Sequence, residues 1–133
     1  MPYGAPIGSE DATSGDEAAV EQAARDYIEG WFDGDRSRME RALHPQLAKR
    51  SLERDASGAE SVRTLTAQEM IGMTASGKGR KEDVDDRRIE VEVHDVSESV
   101  ASATVRCALY VDLLQLLKTR EGWRIVNVAW HDR

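Results

Sequence analysis

The chain contains a single cysteine, Cys107, so no disulfide can form within it. A lone cysteine suits a reducing compartment, and we expect a cytoplasmic protein. Cys107 falls in a strand-like apolar run, where a buried thiol acts as a small hydrophobe. The 133 residues are enough to build one hydrophobic core without disulfides or a metal.

Long apolar runs and an excess of positive charge are also missing. No stretch approaches membrane-spanning length, and no basic segment followed by an apolar one opens the chain, so we expect neither a membrane span nor a signal peptide. The net charge is −7. Phosphate backbones require a basic face, so this balance argues against nucleic acid as a partner.

Motifs for metals and phosphates are absent as well. The three histidines, His44, His94 and His131, form no pair at i, i+4 spacing. The Gly-Lys-Gly sequence at residues 77–79 is too short for a phosphate-binding loop. We therefore expect no metal and no cofactor.

The first half of the chain shows helical patterns. Residues 1–13 are rich in glycine, proline and small polar residues, which predicts a disordered tail followed by one domain over residues 14–133. Ser14 and Glu17 form a capping-box pattern that predicts a helix start. Apolar residues then repeat at the spacing of an amphipathic helix, at Val20, Ala23, Ala24, Tyr27, Ile28 and Trp31.

Further elements follow this helix. Asp35 is a suitable N-cap for a short second helix. Residues 47–52 and 61–65 predict two short strands around a turn, and Thr66 with Glu69 predicts the start of a third helix that ends near Gly77.

The last third of the chain changes to the period of strands. Residues 89–93 alternate between apolar and polar, residues 100–118 predict one long strand, and residues 123–131 predict a final one. From Ala108 to Leu117 the long strand is apolar on both faces except at Asp112 and Gln115. A β-bulge and a sheet covered on both sides each explain this, and we expect both. Helices followed by an antiparallel sheet indicate an α+β fold.

Three segments together, ARDYIEGWFDGD (24–35), MERALHP (39–45) and YVDLLQLLKTREGWRIVNVAW (110–130), resemble the nuclear transport factor 2-like superfamily. The similarity covers roughly residues 16–131 and is closest to the bacterial branch named Putative lumazine-binding. It implies a SnoaL-like, ketosteroid-isomerase-like cone: a curved antiparallel sheet wrapped by N-terminal helices around an internal pocket, and usually a homodimer formed through the sheet.

Ketosteroid isomerase, which shares this cone, serves as a reference for chemistry. The resemblance aligns Tyr27 with its oxyanion-donating tyrosine. Its carboxylate base has no counterpart, because Ser51 stands at that position, and its second aspartate falls near Leu114, two residues from Asp112. Without a base, one donor cannot move a proton from carbon.

Strict alternation along the final strand separates its residues into two faces. The resemblance places the tryptophan and isoleucine of this strand inside the cone, so Asn127 and His131 are expected to face the pocket. The opposite face, with Val126, Val128 and Trp130, is the candidate dimer interface.

Asp112 is the only charge in its apolar run. If it is buried, it needs a cation, a hydrogen-bond donor or a raised pKa, or else it lies at a bulge and accepts from backbone amides. Tyr27 is either a pocket residue or a core filler, and we expect a pocket residue whose hydroxyl lies inside the cone, with Asp112 or Asn127 as its partner. The candidate ligand-binding residues are therefore Tyr27, Trp31, Asp112, Asn127 and His131.

Three functions are compatible with these patterns. The first is a homodimeric domain that binds a small hydrophobic or heteroaromatic ligand in its cone. The second is a cofactor-free isomerase, cyclase or lyase in which Asp112 or His131 transfers protons. The third is a dimeric interaction module with a filled pocket. The sequence names neither a ligand nor a catalytic residue, so whether the protein is an enzyme stays open.

Overall fold

The computed structural model describes the backbone of residues 7–133 and the side chains from residue 15 onwards. Within residues 7–133, three α-helices and six strands make up the fold, and a 3-10 helix (Val84–Arg87) precedes the third strand. The helices are α1 (Ile7–Asp33), α2 (Arg36–Ala42) and α3 (Ala67–Ala75). The strands are β1 (Leu43–Arg54), β2 (Glu60–Leu65), β3 (Glu90–Ser97), β4 (Val100–Arg106), β5 (Tyr110–Thr119) and β6 (Gly122–Asp132).

The six strands form one curved, unclosed sheet in the order β2-β1-β6-β5-β4-β3. All neighbours run antiparallel except β1 and β6, which are parallel, so the sheet is mixed. Helix α1 packs across β3, β4 and β6, and α3 packs near β1. The predicted α+β cone, with helices on a curved sheet, is confirmed. The sheet is mixed and not wholly antiparallel as expected, because β1 and β6 run parallel.

Helix α1 buries the side that its apolar spacing predicts. Val20, Ala24, Tyr27 and Ile28 are all at most 2% exposed. The helix begins at Ile7, however, so the predicted start at Ser14 is wrong and the Ser14–Glu17 pattern lies within the helix. The predicted tail, residues 1–13, overlaps this helix from residue 7 onwards, and residues 1–6 lie outside the described residues.

The cap signals identify the other helix starts correctly. The Asp35 carboxylate accepts from the Arg38 amide at the start of α2. Thr66 and Glu69 form a reciprocal capping box at the start of α3. Each side chain satisfies amides that the first helical turn leaves without partners.

The predicted long strand over residues 100–118 is instead a hairpin. Strands β4 and β5 pair antiparallel, with Val105 opposite Asp112. A tight turn separates them, in which the Cys107 amide donates to the Tyr110 carbonyl at 3.0 Å. Strand β5 alternates between two faces: Asp112, Leu114 and Leu116 are buried on the inner face, whereas Leu113 and Leu117 are exposed on the outer one. The expected cover on both sides of the sheet is therefore wrong for the described chain.

A β-bulge interrupts the final strand. Gln115 pairs with Asn127 and Leu116 pairs with Ile125, so Val126 is an extra residue in β6. One inserted residue moves every later side chain to the opposite face of a strand. Trp123 and Ile125 face the core before the bulge, whereas Val128 and Trp130 take the inner face after it.

A cluster of charges joins α1 to α2. Asp26 is only 4% exposed and accepts from Arg38 Nε at 3.0 Å and from Arg41 Nε at 3.1 Å. Arg38 also bonds Glu29 at 2.8 Å. Burial by itself would raise the pKa of Asp26, but hydrogen bonds from Arg41 and Arg38 outweigh it and hold that pKa below its usual value.

We expect Asp26→Asn to lower the free energy of unfolding by about 2 kcal/mol at pH 7, because charge-assisted hydrogen bonds to a buried carboxylate are lost. The folded-state pKa is depressed, so this stabilisation is complete above the unfolded pKa of about 4 and disappears as the pH falls through the folded value. Urea denaturation at several pH values measures the effect. The matched control is Glu21→Gln, which removes an exposed ion pair with Arg25 and should cost at most about 0.5 kcal/mol. A cost for Asp26→Asn that does not change between pH 7 and pH 3 would contradict the assignment.

Candidate functional site

Three polar side chains from three elements meet inside the cone, and we call them the buried cluster: Tyr27 of α1, Lys49 of β1 and Asp112 of β5. The Tyr27 hydroxyl donates to Asp112 Oδ2 at 2.5 Å and accepts from Lys49 Nζ at 2.5 Å. Lys49 Nζ also lies 3.5 Å from Asp112 Oδ2. The phenol therefore joins an ammonium to a carboxylate.

The buried cluster is almost completely removed from solvent. Tyr27 and Asp112 are 2% exposed and Lys49 is 8% exposed. Burial raises the pKa of Tyr27 well above its usual value, and the Asp112 charge raises it further, so the hydroxyl stays protonated. Burial lowers the pKa of Lys49, although the Asp112 charge partly opposes this shift.

Aromatic rings surround the ammonium. Lys49 Nζ lies 5.1 Å from the centroid of the Tyr27 ring and 5.0 Å from that of the Trp130 ring, so both rings stabilise the charge. Two buried polar atoms have no hydrogen-bond partner among the described residues: Asp112 Oδ1 and Trp130 Nε1. Asp112 and Trp130 are directly paired neighbours on β5 and β6.

The buried cluster borders a cavity of about 250 Å³, which we call the inner cavity. The apolar and aromatic lining residues are Ile28, Trp31, Leu65, Met70, Met73, Tyr110 and Trp130. The exposed residues Arg63, Lys78 and Asp132 line it as well and form its rim. The inner cavity thus has a buried charged floor, apolar walls and a polar rim.

A loop closes one side of the inner cavity over Trp31. A Cβ on Gly79 would overlap the Trp31 indole ring, so only glycine allows the backbone to approach so closely. The Lys81 amide donates to the Phe32 carbonyl at 2.9 Å and ties the same loop to the end of α1. The basic run at residues 78–81 is therefore a packed loop beside the cavity.

Of the five predicted ligand-binding residues, the structure brings three together at the inner cavity: Tyr27, Trp31 and Asp112. Asn127 and His131 lie on the outer face and are exposed, contrary to the expectation from strict alternation. The bulge at Val126 reverses the strand's two faces beyond it. Asn127 instead donates to Gln115 Oε1 at 3.0 Å across the outer face.

The same reversal changes the predicted dimer interface. Val128 is 3% exposed in the core and Trp130 lines the inner cavity, so both point away from the outer face. Val126, at the bulge, is half-buried. The exposed large apolar residues at outward-facing positions of the sheet are Leu52, Val62, Val100, Leu113 and Leu117.

Lys49 is the residue of the candidate site that the sequence analysis does not predict. Leu47 and Lys49 alternate within a predicted strand, and Leu47 is buried in the core. A lysine two residues from a core leucine on the same strand shares its face. That signal could have indicated a buried cation opposite Asp112.

Within residues 7–133, none of the helices combines the length and apolar character needed to cross a bilayer. The described part of the chain also holds no group of three or more His, Cys, Asp or Glu side chains arranged to bind a metal ion.

Comparisons with known proteins agree with this fold. The profile of the family described as Putative lumazine-binding matches residues 15–131. No curated protein matches the sequence significantly.

Solved structures share the fold at low sequence identity. An NTF-2 like protein of unknown function from Silicibacter pomeroyi DSS-3 has a TM-score of 0.71 and 20% identity, over 91% of this chain and 98% of that one. An NTF2-like protein of unknown function from Shewanella baltica OS155 has a TM-score of 0.67 and 17% identity, over 90% of this chain and 95% of that one. An NTF2-like protein with a cystatin-like fold from Novosphingobium aromaticivorans has a TM-score of 0.63 and 14% identity, over 98% of this chain and 90% of that one.

The charges of the buried cluster should be energetically coupled. Lys49→Met alone leaves the Asp112 carboxylate buried without its cation, and we expect it to lower the free energy of unfolding by about 3–5 kcal/mol. The double variant Lys49→Met/Asp112→Leu removes both charges and should recover most of that loss. Chemical denaturation of the wild type, both single variants and the double variant measures the coupling. Additive single-variant costs would contradict it.

Proposed function

We propose that the inner cavity binds a small heteroaromatic ligand. The premise is that the chain belongs to the Putative lumazine-binding family, within the nuclear transport factor 2-like superfamily. The single observation that supports this most is the buried cluster at the cavity. Charged groups are costly to bury, and a protein that only needed a stable core would gain by replacing them with apolar residues.

The walls of the cavity favour a flat ligand. Trp31, Tyr110 and Trp130 line it, and the Tyr110 and Trp130 rings meet edge to face with centroids 6.0 Å apart. Aromatic rings attract a flat partner by stacking and edge-to-face contact. The cluster beneath them supplies hydrogen-bonding groups that fix a ligand's orientation, which is the usual division of labour in small-molecule sites.

Titration with lumazine should quench the tryptophan fluorescence in a saturable manner. Trp31→Phe and Trp130→Phe should each remove part of the quenching, because both indoles line the cavity. Trp123→Phe is the matched control and should leave it intact, since the Trp123 Nε1 donates to Asp16, away from the cavity lining. Tyr27→Phe should weaken binding by roughly 0.5–1.5 kcal/mol, the net value of one hydrogen bond. Saturable quenching that depends on Trp123 alone would place the ligand elsewhere.

A cofactor-free acid–base enzyme is the second candidate function. The unpartnered Asp112 Oδ1 in a residue that lines the cavity supports it, because a carboxylate oxygen without a donor can accept a proton from a substrate. With a panel of enolisable ketones, turnover by the wild type that falls about 100-fold or more in Tyr27→Phe would favour this candidate over binding alone. No turnover across the panel would favour binding.

We also propose that two chains pair through the outer face of the sheet. We propose a cytoplasmic location as well, because the buried thiol of Cys107 is compatible with a reducing compartment. The exposed apolar residues of this face support the pairing. Leu113 is 54% exposed at the middle of β5, and Leu52 on β1 and Val62 on the edge strand β2 are more than half exposed. A soluble monomer rarely exposes a large contiguous apolar surface.

Leu113→Glu should convert the dimer to a monomer, because it places a charge at the centre of the outer face. Light scattering at micromolar concentration measures the mass. Leu109→Glu is the matched control: Leu109 is 43% exposed but lies in the turn between β4 and β5, so the dimer should persist. A wild-type protein that is monomeric in this measurement would contradict the pairing.

A further inference from the structure

We propose that Lys49 is a covalent capture site, where Nζ condenses with the carbonyl group of a small aldehyde or ketone in the inner cavity to form a protonated imine. This rests on the proposed function, because the carbonyl compound enters the same cavity. The location of the amine is the first support. Lys49 lines the inner cavity among aromatic side chains and is 8% exposed.

The other lysines lie in different surroundings. Lys78 and Lys118 are exposed and Lys81 is half-buried. An amine in an apolar site loses hydration of its charged form, which is how proteins make a lysine nucleophilic. Burial lowers the pKa of Lys49 accordingly. The charged or titratable groups that face it are Tyr27 from α1, Asp112 from β5, Arg63 from β2 and Asp132 from β6.

The groups that bond the amine can carry the protons of the reaction. Tyr27 accepts from Lys49 Nζ and donates to Asp112, so an ammonium proton can reach the carboxylate through the phenol. The free amine then adds its electron pair to the carbonyl carbon, and the carbonyl π electrons move to oxygen. A proton transfer from nitrogen to oxygen gives a carbinolamine.

Loss of water completes the step. Asp112 returns its proton to the carbinolamine hydroxyl, the carbon–oxygen bond breaks, and the nitrogen lone pair forms the carbon–nitrogen double bond. In the overall reaction, an ammonium group and a carbonyl group give a protonated imine and water, and no oxidant or reductant is needed. The product keeps one positive charge beside Asp112, so the ion pair that spans 3.5 Å in the free protein is preserved.

Reductive trapping tests the proposal. The protein is incubated at neutral pH with limiting benzaldehyde and sodium cyanoborohydride, which reduces the protonated imine to a stable benzyl-lysine. Intact mass and peptide mapping then locate the label. We expect labelled chains to carry one benzyl group each, on Lys49. Lys49→Arg, which retains a positive charge, should abolish this label. Lys118→Arg is the matched control at an exposed lysine and should be labelled like the wild type. Excess lumazine should protect Lys49, because it occupies the same cavity.

Labelling confined to Lys78, Lys81, Lys118 or the N-terminal amine, with Lys49 unmodified, would overturn the proposal. This result is read from the wild-type protein, so it does not depend on whether Lys49→Arg folds. If lumazine still quenches tryptophan fluorescence in that case, only the covalent step fails. If lumazine neither quenches the fluorescence nor protects a labelled Lys49, the proposed function fails while the covalent site stands.

Discussion

The contact between the Tyr27 hydroxyl, the Lys49 ammonium and the Asp112 carboxylate is the interaction on which the rest of the structure depends. It joins the first helix to two strands of the sheet, β1 and β5, which β6 separates. A charge pair in this position is costly to desolvate, so it persists only with short, well-directed hydrogen bonds. Those bonds tie α1 to the sheet, and the three residues that make them line the inner cavity.

Two features of the chain enclose this cavity. The bulge at Val126 turns Trp130 inward, where it covers Lys49 and contacts Tyr110. Gly79 lets the loop after α3 lie directly on Trp31. The inner cavity is therefore bounded by rigid elements on the sheet side and by a packed loop on the helix side, which is the kind of preformed site that suits a small ligand.

The sequence predicts the fold well because its signals are local. Apolar spacing in α1 correctly buries Tyr27, and the cap residues Asp35 and Thr66 correctly mark α2 and α3. Asp112 was identified as the one charge in an apolar run. Asn127 and His131 were assigned to the wrong face because one extra residue in a strand leaves no clear mark in composition. Lys49 was missed because its partners are distant in sequence and meet only when α1, β1 and β5 pack together.

The central claim is that the inner cavity receives a small molecule against the buried cluster. A crystal structure of the protein soaked with lumazine tests it most directly. We expect density for a flat molecule between Trp31 and Trp130, with polar atoms within hydrogen-bond distance of Tyr27, Lys49 or Asp112. Density for lumazine on the outer face of the sheet, with the inner cavity filled by rearranged side chains, would contradict it.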